Sequence, residues 1–159
     1  MNAINQTLLL VGRMNYVWTN TESLFIYLMA QLMGTSKEAA IVVFLTLNTT
    51  RARLDLIQRL AKLESTSPED KAAVLSFADR LGKESGIRNK FNHCIYSFDE
   101  KGAASTQLMR VADVGEDLRY GKVELLDETE LNRLNMAIER ITAVNRDIWA
   151  YIRGHQIPV

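Results

Sequence analysis

The chain has 159 residues, of which 47% are apolar and 24% charged, and its 19 acidic side chains balance 19 basic ones. This composition is typical of one globular domain over residues 1–159 and excludes a disordered or fibrous protein. A net charge of zero argues against a protein that coats nucleic acid with its whole surface. It argues less against an enzyme, which needs only a local basic patch.

The sequence carries few signals of secretion or membrane insertion. Its single cysteine, Cys94, rules out an intramolecular disulfide and points to a reducing compartment. It opens without the regions of a signal peptide. The longest apolar runs are shorter than the roughly 20 residues that span a bilayer. We therefore expect a cytoplasmic protein that does not enter a membrane.

Apolar residues at three- and four-residue steps predict three long helices in the first part of the chain. The first runs from about 4 to 33, with a capping box at 19–22 that marks a bend or a restart. The second runs over 36–63. Because residues 39–47 are apolar on every side, we expect that stretch to be deeply buried. The third begins at a Ser-Pro cap and continues over 68–98.

The second part of the chain changes character after residue 98. Two strands are predicted over 106–114 and 118–126, flanking a loop of hairpin length. A last helix follows from 127 to about 153. Short links between the first three helices imply antiparallel neighbours. The predicted fold class is therefore all-α in the main: an up-down four-helix bundle with a β-hairpin inserted between helices 3 and 4.

One stretch near the middle concentrates a cation, several amides and one of the two histidines: Arg88-Asn89-Lys90-Phe91-Asn92-His93. On a helical wheel its apolar neighbours form one inward arc, made of Ile87, Phe91, Cys94, Ile95 and Phe98. The polar side chains form the opposite arc, in the order Arg88, Asn92, Tyr96, Asn89 and His93. Arg88 and His93 lie at the two margins of this surface. They would act together if two copies of the helix met, or if Gly86 kinked the start of the stretch.

Two of these residue types have side chains suited to proton transfer and to phosphate binding. Imidazole titrates near neutrality and can carry a proton. Guanidinium is permanently charged, and its planar fork matches two phosphate oxygens.

The sequence Arg88-Asn89 followed by His93, late in a helical chain, resembles the R-x4-6-H motif of the HEPN superfamily. In that family Asn, Asp or His commonly follows the Arg. The resemblance covers these six residues and the helical layout. It implies a helical domain that dimerises through its motif helices. Many members are metal-independent endoribonucleases, often toxins or defence proteins, whereas others only bind.

The resemblance implies that His93 is the acid/base, that Arg88 stabilises the phosphate, and that Asn89 orients His93 or binds the RNA backbone. Three further residues are candidates for substrate binding: Lys90, Asn92 and Tyr96. Tyr96 would stack on a base or donate a hydrogen bond to phosphate. The implied protein is a homodimeric endoribonuclease that leaves 2′,3′-cyclic phosphate ends. RNA is its substrate, and an antitoxin or another protein is a further partner, in toxin–antitoxin, phage-defence or stress responses.

Other chemistry finds little support in the sequence. The chain has no Glu-x-x-His pair for a di-iron bundle and no His/Cys cluster for zinc, so we expect no metal. No glycine fingerprint indicates a nucleotide cofactor, and we expect none. Cys94 and Trp18 are both interpreted as core residues. The second histidine, His155, is expected to be exposed and idle.

Several interpretations stay open beside the ribonuclease. The polar arc is also compatible with a solvated face on which Arg88 pairs with Glu84, four residues earlier. A catalytically inactive HEPN-like dimer would bind a protein or a nucleotide, and an unrelated helical dimer would have no site. Three cations on the predicted hairpin either supply phosphate contacts above the polar surface or belong to a structural flap: Arg110, Arg119 and Lys122.

Overall fold

A computed structural model describes residues 2–159. The fold is mainly helical, as predicted, and has two small antiparallel sheets in the second half of the chain. The elements in chain order are α1 (Ala3–Glu22), α2 (Phe25–Met33), α3 (Lys37–Thr46), α4 (Thr50–Ala61), α5 (Pro68–Lys83), α6 (Ser85–Asn92), β1 (Cys94–Phe98), β2 (Ala104–Leu108), β3 (Val111–Val114), β4 (Asp117–Tyr120), β5 (Val123–Leu125) and α7 (Glu128–Gly154). None of the described helices combines the length and the apolar content needed to cross a bilayer.

Each of the first three predicted helices is divided in two. The first restarts beyond the predicted bend, at Phe25. The second breaks before Thr49, whose side-chain oxygen accepts from the Ala52 amide at 3.1 Å and caps α4. The third ends at Lys83, beside the predicted kink at Gly86. The last predicted helix is continuous as α7.

The chain forms two compact units, and α1 and α7 contribute residues to both. The first unit combines the segment up to Tyr16 with Ser85–Glu139, and the second combines Val17–Glu84 with Arg140–Val159. The prediction of a single domain over residues 1–159 stays a prediction.

The second unit is built on helices. α2 packs against α3 and α4, and α4 packs against α5. Trp18 is 1% exposed, so its prediction as a core residue is confirmed. The inward face predicted for α5 is also confirmed, with buried Val74, Phe77, Ala78 and Leu81. For α3 the prediction of all-round burial is wrong. Only one face packs on its neighbours, and Val42 and Leu45 on the other are 63% and 60% exposed.

In the first unit the helix carrying the polar motif ends at Asn92, not at Phe98. The chain continues as β1, which pairs antiparallel with β2 from Cys94↔Leu108 to Phe98↔Ala104. Side chains of a strand alternate, so Cys94 is buried while its neighbour Ile95 is 50% exposed. The helical arc predicted beyond residue 92 is therefore wrong, although the prediction of Cys94 as a core residue is confirmed.

Strands form within both stretches predicted as strands, but a β-bulge divides each stretch in two. β2 pairs with β5 so that Gln107 faces Val123, and β3 pairs with β4 so that Val111 faces Tyr120. Between these pairs, residues 108–110 on one strand face only 121–122 on the other. One extra residue of this kind bends the strand and re-aims its side chains.

A small set of main-chain contacts holds the bulge. The Arg110 amide donates to the Leu108 carbonyl oxygen at 2.8 Å, and the Gly121 amide donates to the Arg110 carbonyl oxygen at 3.0 Å. A Cβ on Gly121 would lie 1.9 Å from the Leu108 carbonyl oxygen, so only glycine allows this approach. The Met109 amide donates to the His93 carbonyl oxygen at 3.1 Å and ties the bulge to the end of α6.

Candidate functional site

An open cleft of about 510 Å³ lies where the end of α6 meets the bulge. Seven residues line it: Gly86, Asn89, Lys90, His93, Leu108, Met109 and Arg110. Its volume is within the range of about 300–1,000 Å³ that small-molecule sites occupy. The lining combines two apolar side chains with an amide, an imidazole and two cations. This combination suits an anionic ligand that also carries an apolar part.

His93 is the first residue after α6. Its amide donates to the Asn89 and Lys90 carbonyl oxygens at 3.0 and 3.3 Å and closes the last helical turn. The side chain is exposed. Across residues 2–159 the imidazole forms no hydrogen bond or ion pair. Its ring nitrogens are therefore accessible to a ligand in the cleft, and a proton can pass through either of them.

Asn89 links Arg88 to the cleft. Nη1 of Arg88 donates to Oδ1 of Asn89 at 3.0 Å, and the Asn89 side chain lines the cleft while that of Arg88 does not. The structure thus brings Asn89 and His93 to one cleft and places Arg88 one hydrogen bond away. Within residues 2–159 the Asn89 side chain forms no hydrogen bond with the His93 imidazole.

Lys90 lines the cleft, but carboxylates surround its ammonium group. Nζ lies 2.5 Å from Oε2 of Glu124 and 2.7 Å from Oε2 of Glu130, and the side chain is 18% exposed. Burial acts to lower the pKa of Lys90, but hydrogen bonds and attraction from both glutamates outweigh it, so the pKa is raised. Lys90 is therefore a fixed, neutralised cation. A substrate would have to compete with Glu124 and Glu130 for its ammonium group.

The pKa values of the two glutamates shift in the opposite direction. Burial raises the pKa of Glu130, but its hydrogen bonds to Lys90 and Arg133 bring it below the usual range. The pKa of Glu124 is lowered by hydrogen bonds from Lys90 and Lys122. Both carboxylates are therefore ionised at neutral pH.

Two of the residues predicted to bind substrate lie outside the cleft lining. Tyr96 was placed one helical turn past Asn92, but it lies on β1, and its hydroxyl donates to the Phe91 carbonyl oxygen at 2.5 Å. Burial, and then a hydrogen bond with Cys94, raise the pKa of Tyr96. Its phenol thus serves the fold. Asn92 is the half-buried last residue of α6.

Glu84, which the sequence suggested as an ion-pair partner of Arg88, pairs with Arg140. Glu84 is buried, and its two oxygens accept from Nε and Nη2 of Arg140 at 2.6 and 3.0 Å. The hydrogen bond that Arg140 donates to Glu84 is also the main reason why the pKa of Arg140 is raised. Glu84 therefore does not lie on the solvated face that the alternative interpretation of Arg88 requires.

The second histidine is exposed, as predicted, and contacts two side chains. The His155 ring stacks on Tyr151 with centroids 4.0 Å apart, and Nε2 lies 3.5 Å from Oδ1 of Asp70. The Tyr151 hydroxyl also donates to Asp70, which is the main reason why the pKa of Asp70 is lowered. The contact with Asp70 was not predicted, because the two residues are far apart in the sequence.

Arg110 is the charged cleft residue that was least clearly predicted from the sequence. It appeared there only as one of three hairpin cations, whereas the bulge places it alone of the three in the cleft lining. Its side chain is exposed and forms no ion pair with another described residue. The available signal was Gly121, a glycine inside a predicted strand, which often marks a bulge.

Comparison of the chain with protein-family models, with curated proteins and with solved structures finds no match. Within residues 2–159, no group of three or more His, Cys, Asp or Glu side chains is arranged to hold a metal ion. The functional interpretation therefore depends on the chemistry of the cleft.

Proposed function

We propose that this protein is a metal-independent endoribonuclease of the HEPN type, with its site at the cleft on the end of α6. The observation that carries the proposal is His93, an exposed imidazole in an open cleft that also contains Asn89 and Arg110. Arg88 lies outside the cleft lining but hydrogen-bonds to Asn89 at 3.0 Å. The polar side chains of the proposed site are therefore His93, Asn89, Arg110 and Arg88. RNA is the proposed substrate, and no cofactor enters the reaction.

The proposed reaction is a transesterification within the RNA. His93 takes the proton of a 2′-hydroxyl as its oxygen forms a bond to the adjacent phosphorus. The bond between phosphorus and the 5′-oxygen breaks, and that oxygen receives a proton from a general acid. Guanidinium groups stabilise the additional negative charge on the phosphoryl oxygens. The products are a 2′,3′-cyclic phosphate and a 5′-hydroxyl.

A homodimer completes the proposal. One chain supplies one His93, whereas the reaction uses a base and an acid, so a second copy would supply the second imidazole and another Arg88. The outer face of the sheet exposes Ile95, two residues from His93, and Val123, which lies in the same row of the sheet beyond Gln107. Apolar side chains of this kind are commonly covered by a partner, and zero net charge does not oppose self-association.

The proposal also includes an architecture and a setting. The four helical segments α1–α2, α3–α4, α5–α6 and α7 would correspond to an up-down bundle, with the β segment inserted before the last. The setting is a cytoplasmic toxin–antitoxin, phage-defence or stress response, in which an antitoxin or another protein restrains the nuclease.

The second candidate function is a catalytically inactive dimer that binds a nucleotide or a protein. Two observations favour it: Arg88 does not line the cleft, and the His93 imidazole has no orienting hydrogen bond within the described chain. A cleft of about 510 Å³ accommodates a mononucleotide. This protein would bind the nucleotide and leave RNA intact.

Cleavage of a mixed-sequence RNA in EDTA tests the proposal. Wild type is compared with His93→Ala and Arg88→Ala, and the matched controls are His155→Ala and Arg119→Ala, which remove the same side chains outside the cleft. We expect cleavage by wild type and both controls. Loss of an acid/base or a charge-stabilising group typically lowers the rate by about 100-fold or more.

Two outcomes would contradict the proposal. If wild type binds a nucleotide but leaves RNA intact, the second candidate replaces the first. If His93→Ala and Arg88→Ala both cleave as fast as the two controls, the activity does not arise at this site.

A further inference from the structure

We propose that Arg110 is the phosphate-binding residue that each chain contributes to its own cleft. The inference rests on the proposed function, because it assigns a contact with the phosphodiester substrate of that same site. It concerns a residue outside the Arg88–His93 motif, held by a different part of the chain.

The charge of the cleft comes from three side chains. Its charged or titratable lining residues are Lys90, His93 and Arg110. The Lys90 ammonium is held by Glu124 and Glu130 at 2.5 and 2.7 Å, so it has little attraction left for a ligand. Arg110 carries a permanent charge that no described carboxylate neutralises. Among the lining residues, the cation that an anionic ligand meets is therefore Arg110.

Main-chain hydrogen bonds fix the position of this residue. The Met109 amide donates to the His93 carbonyl oxygen at 3.1 Å, so Arg110 follows a residue that is tied to the candidate acid/base. Its own amide and carbonyl are both hydrogen-bonded within the bulge, at 2.8 and 3.0 Å. The backbone of Arg110 is thus held on both sides while its side chain is exposed. A long cationic side chain on a fixed backbone suits the capture of a mobile phosphate strand.

The other two cations of the predicted hairpin lie outside the cleft lining. Arg119 lies on β4 opposite Ala112, and neither it nor Lys122 lines the cleft. Lys122 lies 3.1 Å from Glu124, which partly neutralises it. Only the residue that the bulge re-aims reaches the cleft, which makes Arg119→Gln a matched control for Arg110→Gln.

The experiment measures binding apart from cleavage. A fluorescently labelled, fully 2′-O-methylated oligonucleotide cannot undergo attack by a 2′-hydroxyl, and its anisotropy reports affinity. Wild type, Arg110→Gln, Arg110→Lys and Arg119→Gln are titrated at several KCl concentrations. We expect Arg110→Gln to weaken binding about tenfold or more and to reduce the dependence on log[KCl] by about one counterion.

The conservative variant separates charge from packing. Arg110→Lys keeps the charge and should keep the salt dependence, with an intermediate affinity because the bidentate fork is lost. Arg119→Gln should bind within about twofold of wild type. Arg119 lies outside the cleft lining, so salt screens its attraction for the bound oligonucleotide. Equal effects of Arg110→Gln and Arg119→Gln would overturn the inference, because binding would then follow overall charge.

Failure of the inference is distinguishable from failure of the proposed function. If Arg110→Gln selectively weakens binding while wild type cleaves no RNA, Arg110 stands as the anion contact and the nuclease proposal fails. If RNA is cleaved through His93 while Arg110→Gln changes neither oligonucleotide affinity nor KM, the nuclease stands and this inference fails.

Discussion

The main-chain amide of Met109 donates a 3.1 Å hydrogen bond to the carbonyl oxygen of His93. This contact joins the β-bulge to the end of α6, which are the two elements that line the cleft. A helix end and a bulge are both places where main-chain groups lack regular partners. Here a main-chain group of the bulge pairs with a main-chain group at the helix end. The backbone of His93, which carries the candidate catalytic imidazole, is thereby held in place.

Gly121→Ala tests whether the bulge shapes the cleft. The new methyl group would lie 1.9 Å from the Leu108 carbonyl oxygen, so the bulge must shift. We expect a loss of unfolding free energy of about 1–3 kcal/mol, as for other overpacked sites, together with weaker binding of the methylated oligonucleotide. Denaturant unfolding and anisotropy measure the two effects.

The matched control for Gly121→Ala is Gly12→Ala, in the middle of α1. A Cβ there meets nothing within 4 Å, so the substitution should stabilise the helix by about 0.5–1 kcal/mol and leave binding unchanged. If the two variants have the same stability and affinity, the close approach at Leu108 is not what holds the bulge.

Lys90→Met should destabilise the first unit, because it leaves Glu124 and Glu130 without their shared cation. The expected loss is about 1–3 kcal/mol at neutral pH, the range for hydrogen bonds to charged groups. Lys83→Met removes a lysine whose partner is Asp79 and whose side chain is 70% exposed. That control should cost less than about 0.5 kcal/mol, as exposed ion pairs do.

The effect of Lys90→Met should depend on pH with a defined sign. The pKa of Glu130 is lowered in the folded chain, so its stabilisation is complete above the unfolded pKa and is lost as pH falls through the folded value. The pKa of Lys90 is raised, so its contribution is lost only as pH rises through its folded value, in the alkaline range. The difference between wild type and Lys90→Met should therefore be constant near neutrality and shrink below about pH 4.3, the usual pKa of glutamate. A difference that grows on acidification would show that the ion pairs are not its cause.

Glu22 is a buried carboxylate that holds part of the second unit together. It accepts from Nε1 of Trp18 at 3.1 Å and from the Thr50 hydroxyl at 2.8 Å, and it pairs with Arg53 at 3.3 Å. Glu22→Ala leaves these three donors without their acceptor, and we expect a loss of about 3–5 kcal/mol. Thermal or denaturant unfolding measures it.

Glu22→Gln keeps an acceptor for Trp18 and Thr50 and should lose clearly less than Glu22→Ala. An exposed glutamate in the first turn of α3, Glu38, supplies the control. Glu38→Ala removes only a favourable interaction with the helix dipole, about 0.3–1 kcal/mol. Comparable losses for Glu22→Ala and Glu38→Ala would mean that the buried network contributes little.

Ile95→Lys tests the homodimer. Ile95 is 50% exposed on the outer face of the sheet, and a lysine there would oppose a second copy docking beside His93. We expect sedimentation velocity to give a dimer for wild type and a monomer for Ile95→Lys. Leu45→Lys, which alters a 60% exposed side chain on α3, should remain dimeric. Dissociation by Leu45→Lys alone would move the interface to α3 and away from the candidate site.

Helical segments with a clear apolar period were predictable from the sequence, as α5 and α7 show. The end of α6 was not, because Cys94 to Phe98 is a short run that fits a helical arc as well as an alternating strand. Pairing with β2 decides between them, and that pairing joins residues that the sequence separates. The exposed face of α3 was not predicted for a related reason. Apolar residues on every side of a helix do not show how many elements of the fold pack around it.

The candidate site was predictable in its motif but not in its surroundings. His93 and Asn89 were identified as candidates by the resemblance of their motif, and both line the cleft. The carboxylates that neutralise Lys90 lie 34 and 40 positions further along the chain, beyond any local pattern. The position of Arg110 depends on one extra residue in a strand pairing, which is visible only once the register is known.

The most direct test of the central claim is the chemistry of the ends produced in EDTA. The account predicts that wild type converts RNA to fragments with 2′,3′-cyclic phosphate and 5′-hydroxyl ends, and that the same sequence fully 2′-O-methylated stays intact. His93→Gln should abolish the reaction, while His155→Gln should preserve it. Cleavage of the methylated strand, or undiminished cyclic-phosphate formation by His93→Gln, would contradict a nuclease whose acid/base is His93.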